Sequence, residues 1–282
     1  MERQQEGEGR GWLLSLEVLM LTLQARKRLR QAARLLDVTD DLRSTVAPQP
    51  LPKTIWIYWD KGEAEAPELV RFCIGRWRAF HPDWTVEVLD REQAERHVDM
   101  SDLHRGVRPA HYADVLRLRL LKRGGVWADA TCLPMRPLHG WLPPLMQGGF
   151  FAFASPSPEK PLSNWFLAAT PGSLVVDRWE ARATGYWRGR QHAHVYTWPH
   201  YLFAWLLRHD ADVRSTWEQT PKLDAGMAHL LKRALTGKGD CDETLRRIGE
   251  IGPAGFPLFK LTWKNGSLVE LEGLLERIES YA

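Results

Sequence analysis

The run Ile55-Trp56-Ile57-Tyr58-Trp59 narrows the architectures open to this chain more than any other stretch. Five β-branched or aromatic residues ending at Asp60-Lys61-Gly62 read as a buried strand that runs into a loop. Behind it, Leu69, Val70, Cys73, Ile74 and Trp77 recur at spacings of three and four, which predicts a helix from Pro67 to Phe80. Thr85 to Leu89 reads as a second strand. Strand, helix and strand in that order begin an α/β nucleotide-binding unit.

The same periodicities carry the reading onward. Pro109 suits the first turn of a helix running to about Arg123, where Lys122 and Arg123 before Gly124-Gly125 give a basic end and a glycine stop. Val126-Trp127-Ala128 is then a short strand ending at Asp129. Further on, Phe150 to Phe153 reads as a strand, Leu174 to Trp187 and Tyr201 to Arg208 as helices, and Phe256 to Lys264 as loop and strand.

Composition removes several classes of function. At 282 residues, 44% hydrophobic and 26% charged, the chain suits a soluble globular protein with a real core. Its 38 basic and 35 acidic residues leave a net charge of +3, too weak a field to indicate nucleic acid as a partner. Cys73, Cys132 and Cys241 are scattered and odd in number, which fits reduced thiols in a cytosolic setting. Fourteen tryptophans tilt the reading towards sugars or nucleotides, on which indoles stack, although core packing accounts for most of them.

The N-terminus reads separately. Met1 to Arg10 carries three Glu and two Arg, unlike the basic front of a secretory signal. Trp12 to Leu23 is apolar but too short to span a bilayer, which takes ~20 residues. Arg26, Lys27, Arg28, Arg30 and Arg34 follow. Such a helix can lie on an anionic membrane surface; packing on its own domain or on another subunit carries equal weight. Pro48, Pro50 and Pro52 mark a linker. The division is therefore residues 1–47, an amphipathic, basic helical extension, and 48–282, one α/β domain.

The densest chemistry lies between Ala113 and Thr131. Asp114 and Arg117 are three apart and share a helix face, and Asp129 follows a short strand, where open α/β sheets place ligand groups. A hard divalent cation bridging phosphates wants one or two carboxylates, and Asp129 with the Thr131 hydroxyl suits that role. On spacing alone, a surface pair at Asp114–Arg117 and a turn residue at Asp129 are equally good readings. His200, in Pro199-His200-Tyr201-Leu202-Phe203, can complete a metal or acceptor site; a partly buried structural histidine is the better reading.

The segment from Ala113 to Thr131 resembles the signature of the capsular polysaccharide synthesis proteins, which are related to glycosyltransferase family 32 and, distantly, to the clostridial glucosylating toxins. Three more stretches resemble that group: Leu51 to Trp59 with Pro67 and Cys73, Asn164-Trp165-Phe166, and Lys260-Leu261-Thr262-Trp263-Lys264. The resemblance implies a GT-A fold, a nucleotide-sugar donor and a divalent metal, Mn2+ or Mg2+. It implies that Trp59 stacks on the donor base, and that Asp114 and Arg117 hold the donor sugar and phosphates and are the catalytic pair. Ala128 and Asp129 also bind the donor, and Asp129, the first aspartate of the DXD-like element, holds the metal with Thr131, which stands where that element has its second aspartate. Lys260 and Lys264 are placed to close over the diphosphate. The implied reaction retains anomeric configuration and uses a saccharide or lipid-linked acceptor in surface polysaccharide synthesis, at the inner face of the membrane or in an assembly complex. The competing readings are a non-catalytic nucleotide-sugar-binding scaffold and a glycosyltransferase acting on protein.

Overall fold

A computed structural model describes residues 50–154, 160–238, 241–251, 256–264 and 267–279. The expected extension at residues 1–47 lies outside them. The chain begins as anticipated: β1 (Thr54–Tyr58), α1 (Glu68–Phe80) and β2 (Thr85–Leu89), followed by the short α2 (Arg91–His97). Next come α3 (Pro109–Leu121), β3 (Gly125–Ala128), β4 (Cys132–Pro134), β5 (Phe150–Ala154) and β6 (Leu162–Ala169). Helices α4 (Leu174–Trp187), α5 (Trp198–His209), α6 (Ala211–Gln219), α7 (Ala225–Ala228), α8 (Leu230–Leu235) and α9 (Cys241–Ile251) precede β7 (Leu258–Lys260) and α10 (Leu268–Glu279).

The main sheet has the order β2-β1-β3-β6-β5, with β2, β1 and β3 parallel and β6 antiparallel to both its neighbours. Only β6 therefore runs against the rest. This is an α/β architecture with a mostly parallel main sheet. Strands β4 and β7 form a second, two-stranded antiparallel ladder.

Both faces of the main sheet are covered, and the period-two rule sorts its residues between them. Trp56, Tyr58, Trp127, Phe150 and Leu167 pack with α3, α4 and α5 on one face. Ile55, Ile57, Val126, Phe151, Phe153 and Phe166 pack with Val70, Ile74 and Trp77 of α1 on the other. A third cluster joins Cys73 and Leu133 to Leu231, Leu245, Phe259 and Leu271 beneath the small ladder. Most tryptophans serve this packing: Trp77, Trp127, Trp179, Trp187 and Trp198 are almost fully buried.

Two features aim the chain at the site. Strands β1 and β2 are joined through α1, whereas β3 lies on the opposite side of β1, so the carboxyl ends of β1 and β3 flank a switch point. The turn from α3 into β3 then needs both glycines. Gly124 has φ +80 and Gly125 φ +108, and a Cβ on Gly125 would stand 2.7 Å from the Thr54 carbonyl oxygen. Only glycine takes those angles at no steric cost and lets β3 enter so close to β1.

Candidate active site

Helix α3 is deeply buried. Ten of its thirteen residues are buried, between His111 and Leu121, so the two charged groups among those ten, Asp114 and Arg117, must find partners inside the protein. They do so through one guanidinium. Arg117 donates from Nε to the Ala113 carbonyl (3.1 Å) and from Nη1 to the Asn164 carbonyl (2.6 Å). It meets Asp114 Oδ1 at 3.2 Å and Asp129 Oδ1 at 3.3 Å. Its plane also lies over Trp127, with Cζ 5.0 Å from the ring centroid. A planar fork with five donors suits this bridging, which an ammonium cannot copy.

Each carboxylate has its own further anchors. Asp114 Oδ1 accepts from Asn164 Nδ2 at 3.0 Å, and its Oδ2 lies 3.5 Å from His111 Nδ1, which accepts from Trp198 Nε1. Asp129 Oδ1 accepts from Trp127 Nε1 at 3.0 Å, and the Asp129 backbone N–H donates to the Trp165 carbonyl at 2.8 Å. Strands β3 and β6 pair at Ala128 and Phe166, which brings Asp129 and Asn164 to the same edge of the sheet.

The remaining expected residues divide. Lys260, on β7, donates from Nζ to Thr131 Oγ1 and stands 3.6 Å from Asp129 Oδ2. Trp59, just past β1, is half-buried and meets Trp263 edge-on with centroids 5.7 Å apart; Trp263 is 45% exposed. Lys264 does not join Asp129. It stays exposed, with its ammonium 5.8 Å from the Trp263 ring centroid. Ala128 has no exposed surface and its side chain lies in the apolar core. His200, on α5, is held down at about 4 by burial, against the pull of Asp114, and stands neutral near neutral pH.

A resident divalent ion does not fit the donors as they stand. Asp129 Oδ1 is taken by Trp127 and Arg117, its Oδ2 faces Lys260, and the Thr131 hydroxyl accepts from that same ammonium. Among the described residues no group of three His, Cys, Asp or Glu side chains could hold a metal.

Sequence reasoning left several participants unassigned. Asn164 and Trp263 lay within recognised stretches but carried no role. Trp127 and His111 gave no separate signal, because both look like ordinary core residues until Asp129 and Asp114 are seen beside them.

The arrangement is a buried cation held between two carboxylates, next to a second cation and an aromatic pair. It can orient hydroxyls through Asp114, meet phosphate charge through Arg117 and Lys260, and stack a planar base at Trp59 and Trp263.

Three comparisons with known proteins find similarities. The family model described as capsular polysaccharide synthesis protein matches residues 27–271. The O-glycosyltransferase braB of Annulohypoxylon truncatum is 32% identical over 99 residues, which cover 29% of this chain and 24% of that protein. The match thus spans about a quarter of that relative's length. Among solved structures, a PaToxG glycosyltransferase aligns with 74% of this chain and 91% of its own, at 16% identity and a TM-score of 0.38.

Proposed function

The chain belongs to the capsular polysaccharide synthesis protein family, and from that premise we propose that it is a glycosyltransferase. It would move a sugar from a nucleotide-sugar donor to a saccharide or lipid-linked acceptor in surface polysaccharide synthesis. The observation that carries this reading is Arg117, buried between Asp114 and Asp129 at the carboxyl edge of β3.

The roles follow from what transfer must stabilise. As the bond from the anomeric carbon to the phosphate oxygen breaks, its electron pair goes to the nucleoside diphosphate and the sugar becomes oxocarbenium-like. Arg117 and Lys260 meet the charge that develops on the phosphate, and because both are already fixed by neighbours, little reorganisation is needed. Asp114 holds sugar hydroxyls in position, a contribution of orientation rather than proton transfer. Trp59 and Trp263 take the base. The acceptor hydroxyl oxygen forms the new bond on the face the phosphate leaves, and its proton passes to a phosphate oxygen, so configuration is retained. The divalent ion implied by the resemblance enters no step here.

No described helix is long and apolar enough to cross a membrane. A lipid-linked acceptor would be met at the bilayer surface, where the basic stretch from Arg26 to Arg34 suits anionic lipid.

The test is release of nucleoside diphosphate from a panel of uridine, guanosine and cytidine nucleotide sugars by the full chain. One donor should be turned over, with Asp114→Asn at least about a hundredfold slower, in the range of losses seen when an electrostatic or positioning group is removed. Tight binding of a donor with no turnover would favour the scaffold reading.

A further inference from the structure

Lys260 is fixed by backbone, not by a mobile tail. It pairs with Cys132 across the β4–β7 ladder, and Leu261 N donates to the Thr131 carbonyl at 2.9 Å. That register delivers the ammonium to the Thr131 hydroxyl and to within 3.6 Å of Asp129 Oδ2, with the Lys260 side chain 17% exposed. A divalent ion between Asp129 and Thr131 would have to displace this ammonium. It would then have Asp129 as its one carboxylate, and that carboxylate already faces Arg117.

The charges balance another way. A divalent ion on two carboxylates is neutral overall. So is an ammonium on one carboxylate and one hydroxyl. Replacing the second carboxylate by Thr131 removes one negative charge, and replacing the divalent ion by Lys260 removes one positive charge. The surroundings extend the positive side: Lys232, on α8, lies below the ordinary lysine range through partial burial first, then through Lys260, Lys238 and Arg233. His229 is held at about 4 by burial and then by Lys232 and Lys260, so it stays neutral near neutral pH and the positive charge here is that of the two lysines. Such a shelf wants an anion, and a diphosphate supplies one.

We infer that Lys260 stands in for the divalent ion: its ammonium, together with Arg117, receives the diphosphate of the nucleotide donor, and donor binding requires no metal. This rests on the sugar-transfer reading above. When the anomeric carbon–oxygen bond breaks, the electron pair that passes to the phosphate oxygen is met by these two fixed cations.

The experiment is calorimetric titration of the full chain with uridine, guanosine and cytidine diphosphates, in EDTA and again in manganese. The wild type should bind one of them with affinities within about threefold in the two buffers. Lys260→Ala should weaken that binding in EDTA by about tenfold or more, the worth of one charged hydrogen bond, and Lys260→Arg should restore most of it. Thr131→Asp tests the same point without removing the lysine. The new carboxylate pairs the ammonium, so binding in EDTA should fall and manganese should now strengthen it. Wild-type binding that vanishes in EDTA and returns with manganese would overturn the inference, as would unchanged binding by Lys260→Ala. If no diphosphate binds in either buffer, the nucleotide-donor reading fails, and this inference with it. Should Lys260→Ala not fold, Thr131→Asp decides: no loss in EDTA and no gain with manganese overturns it.

Discussion

The inner and outer halves of the site are built on opposite plans. The inner half, Asp114, Arg117 and Asp129, is held by α3, β3 and β6, with Arg117 and Asp114 buried and anchored to the Ala113 and Asn164 carbonyls and the Asn164 side chain. The outer half, Trp59, Trp263 and Lys264, comes from loops at the ends of β1 and β7, joined by one edge-on ring contact at 5.7 Å. In the proposed transfer, charge would be handled where nothing needs to move, and the base where two aromatic rings can still adjust to what arrives. A buried guanidinium between carboxylates is stable only while every partner stays in place, whereas an exposed tryptophan contributes mainly when a ligand covers it.

The largest effect should therefore come from Arg117. Arg117→Ala leaves Asp114 buried without its counter-charge, which destabilises the fold by about 3–5 kcal/mol, as breaking a buried pair by removing one partner typically does. Denaturant unfolding measures it directly. Arg117→Lys keeps the charge but not the fork to Asp114, Asp129 and the Asn164 carbonyl. It should lose less stability yet remain slow in donor turnover. An Arg117→Ala protein as stable as the wild type would erase the distinction between the two halves.

The outer half should respond in binding rather than stability. Trp59→Ala and Trp263→Ala should each weaken donor binding by about tenfold, within the ~1–3 kcal/mol that base–aromatic stacking contributes. Melting temperatures should change little. Because the two rings touch, the double variant should lose less than the sum of the two. Should Trp59→Ala unfold at once, Trp59 belongs with the core and the outer half reduces to Trp263.

These halves were unequally legible in the sequence. β2 and α4 have the boundaries their periodicity predicts, and β1 and α1 differ by a residue, because local pattern and tertiary environment agree there. Helix α5 begins at Trp198 rather than Tyr201, since Pro199 can occupy the first turn where its missing N–H costs nothing. Strand β6 was invisible as a strand. Leu162 to Ala169 shows no clean alternation, and its identity comes from pairing with both β3 and β5. Asn164 therefore had no address until β6 was placed beside Asp129. The contact between Lys260 and Thr131 joins residues 129 apart through two three-residue strands, shorter than any pattern can announce. Pro134 further hides β4, being a residue that sheets tolerate only at edges and strand ends. Chemistry-bearing residue types could be read in order along the chain; which of them touch is set by pairings that leave no local trace.

The smallest effect at neutral pH is also the sharpest probe of how dry the inner half is. His200 lies on α5 near Asp114 and Arg117, and burial lowers it from 6.5 to about 4, with Asp114 pulling the other way and Lys160 and Arg117 adding to the depression. In the unfolded chain the ring takes its proton below about 6.5, whereas in the folded protein it resists until about 4. Between those values the unfolded state binds the extra proton, so stability falls as pH falls, by up to about 1.4 kcal/mol per unit. Above 6.5 both states are neutral and His200 contributes no pH dependence. His200→Gln should flatten this part of the stability curve while leaving the melting temperature at pH 8 nearly unchanged. The difference between the two curves isolates this ring from His229, which is also held at about 4 by burial and would titrate in the same window. If the two curves run parallel from pH 8 to pH 4, His200 titrates as an open surface histidine would, and the inner half is wet where its packing says it is dry.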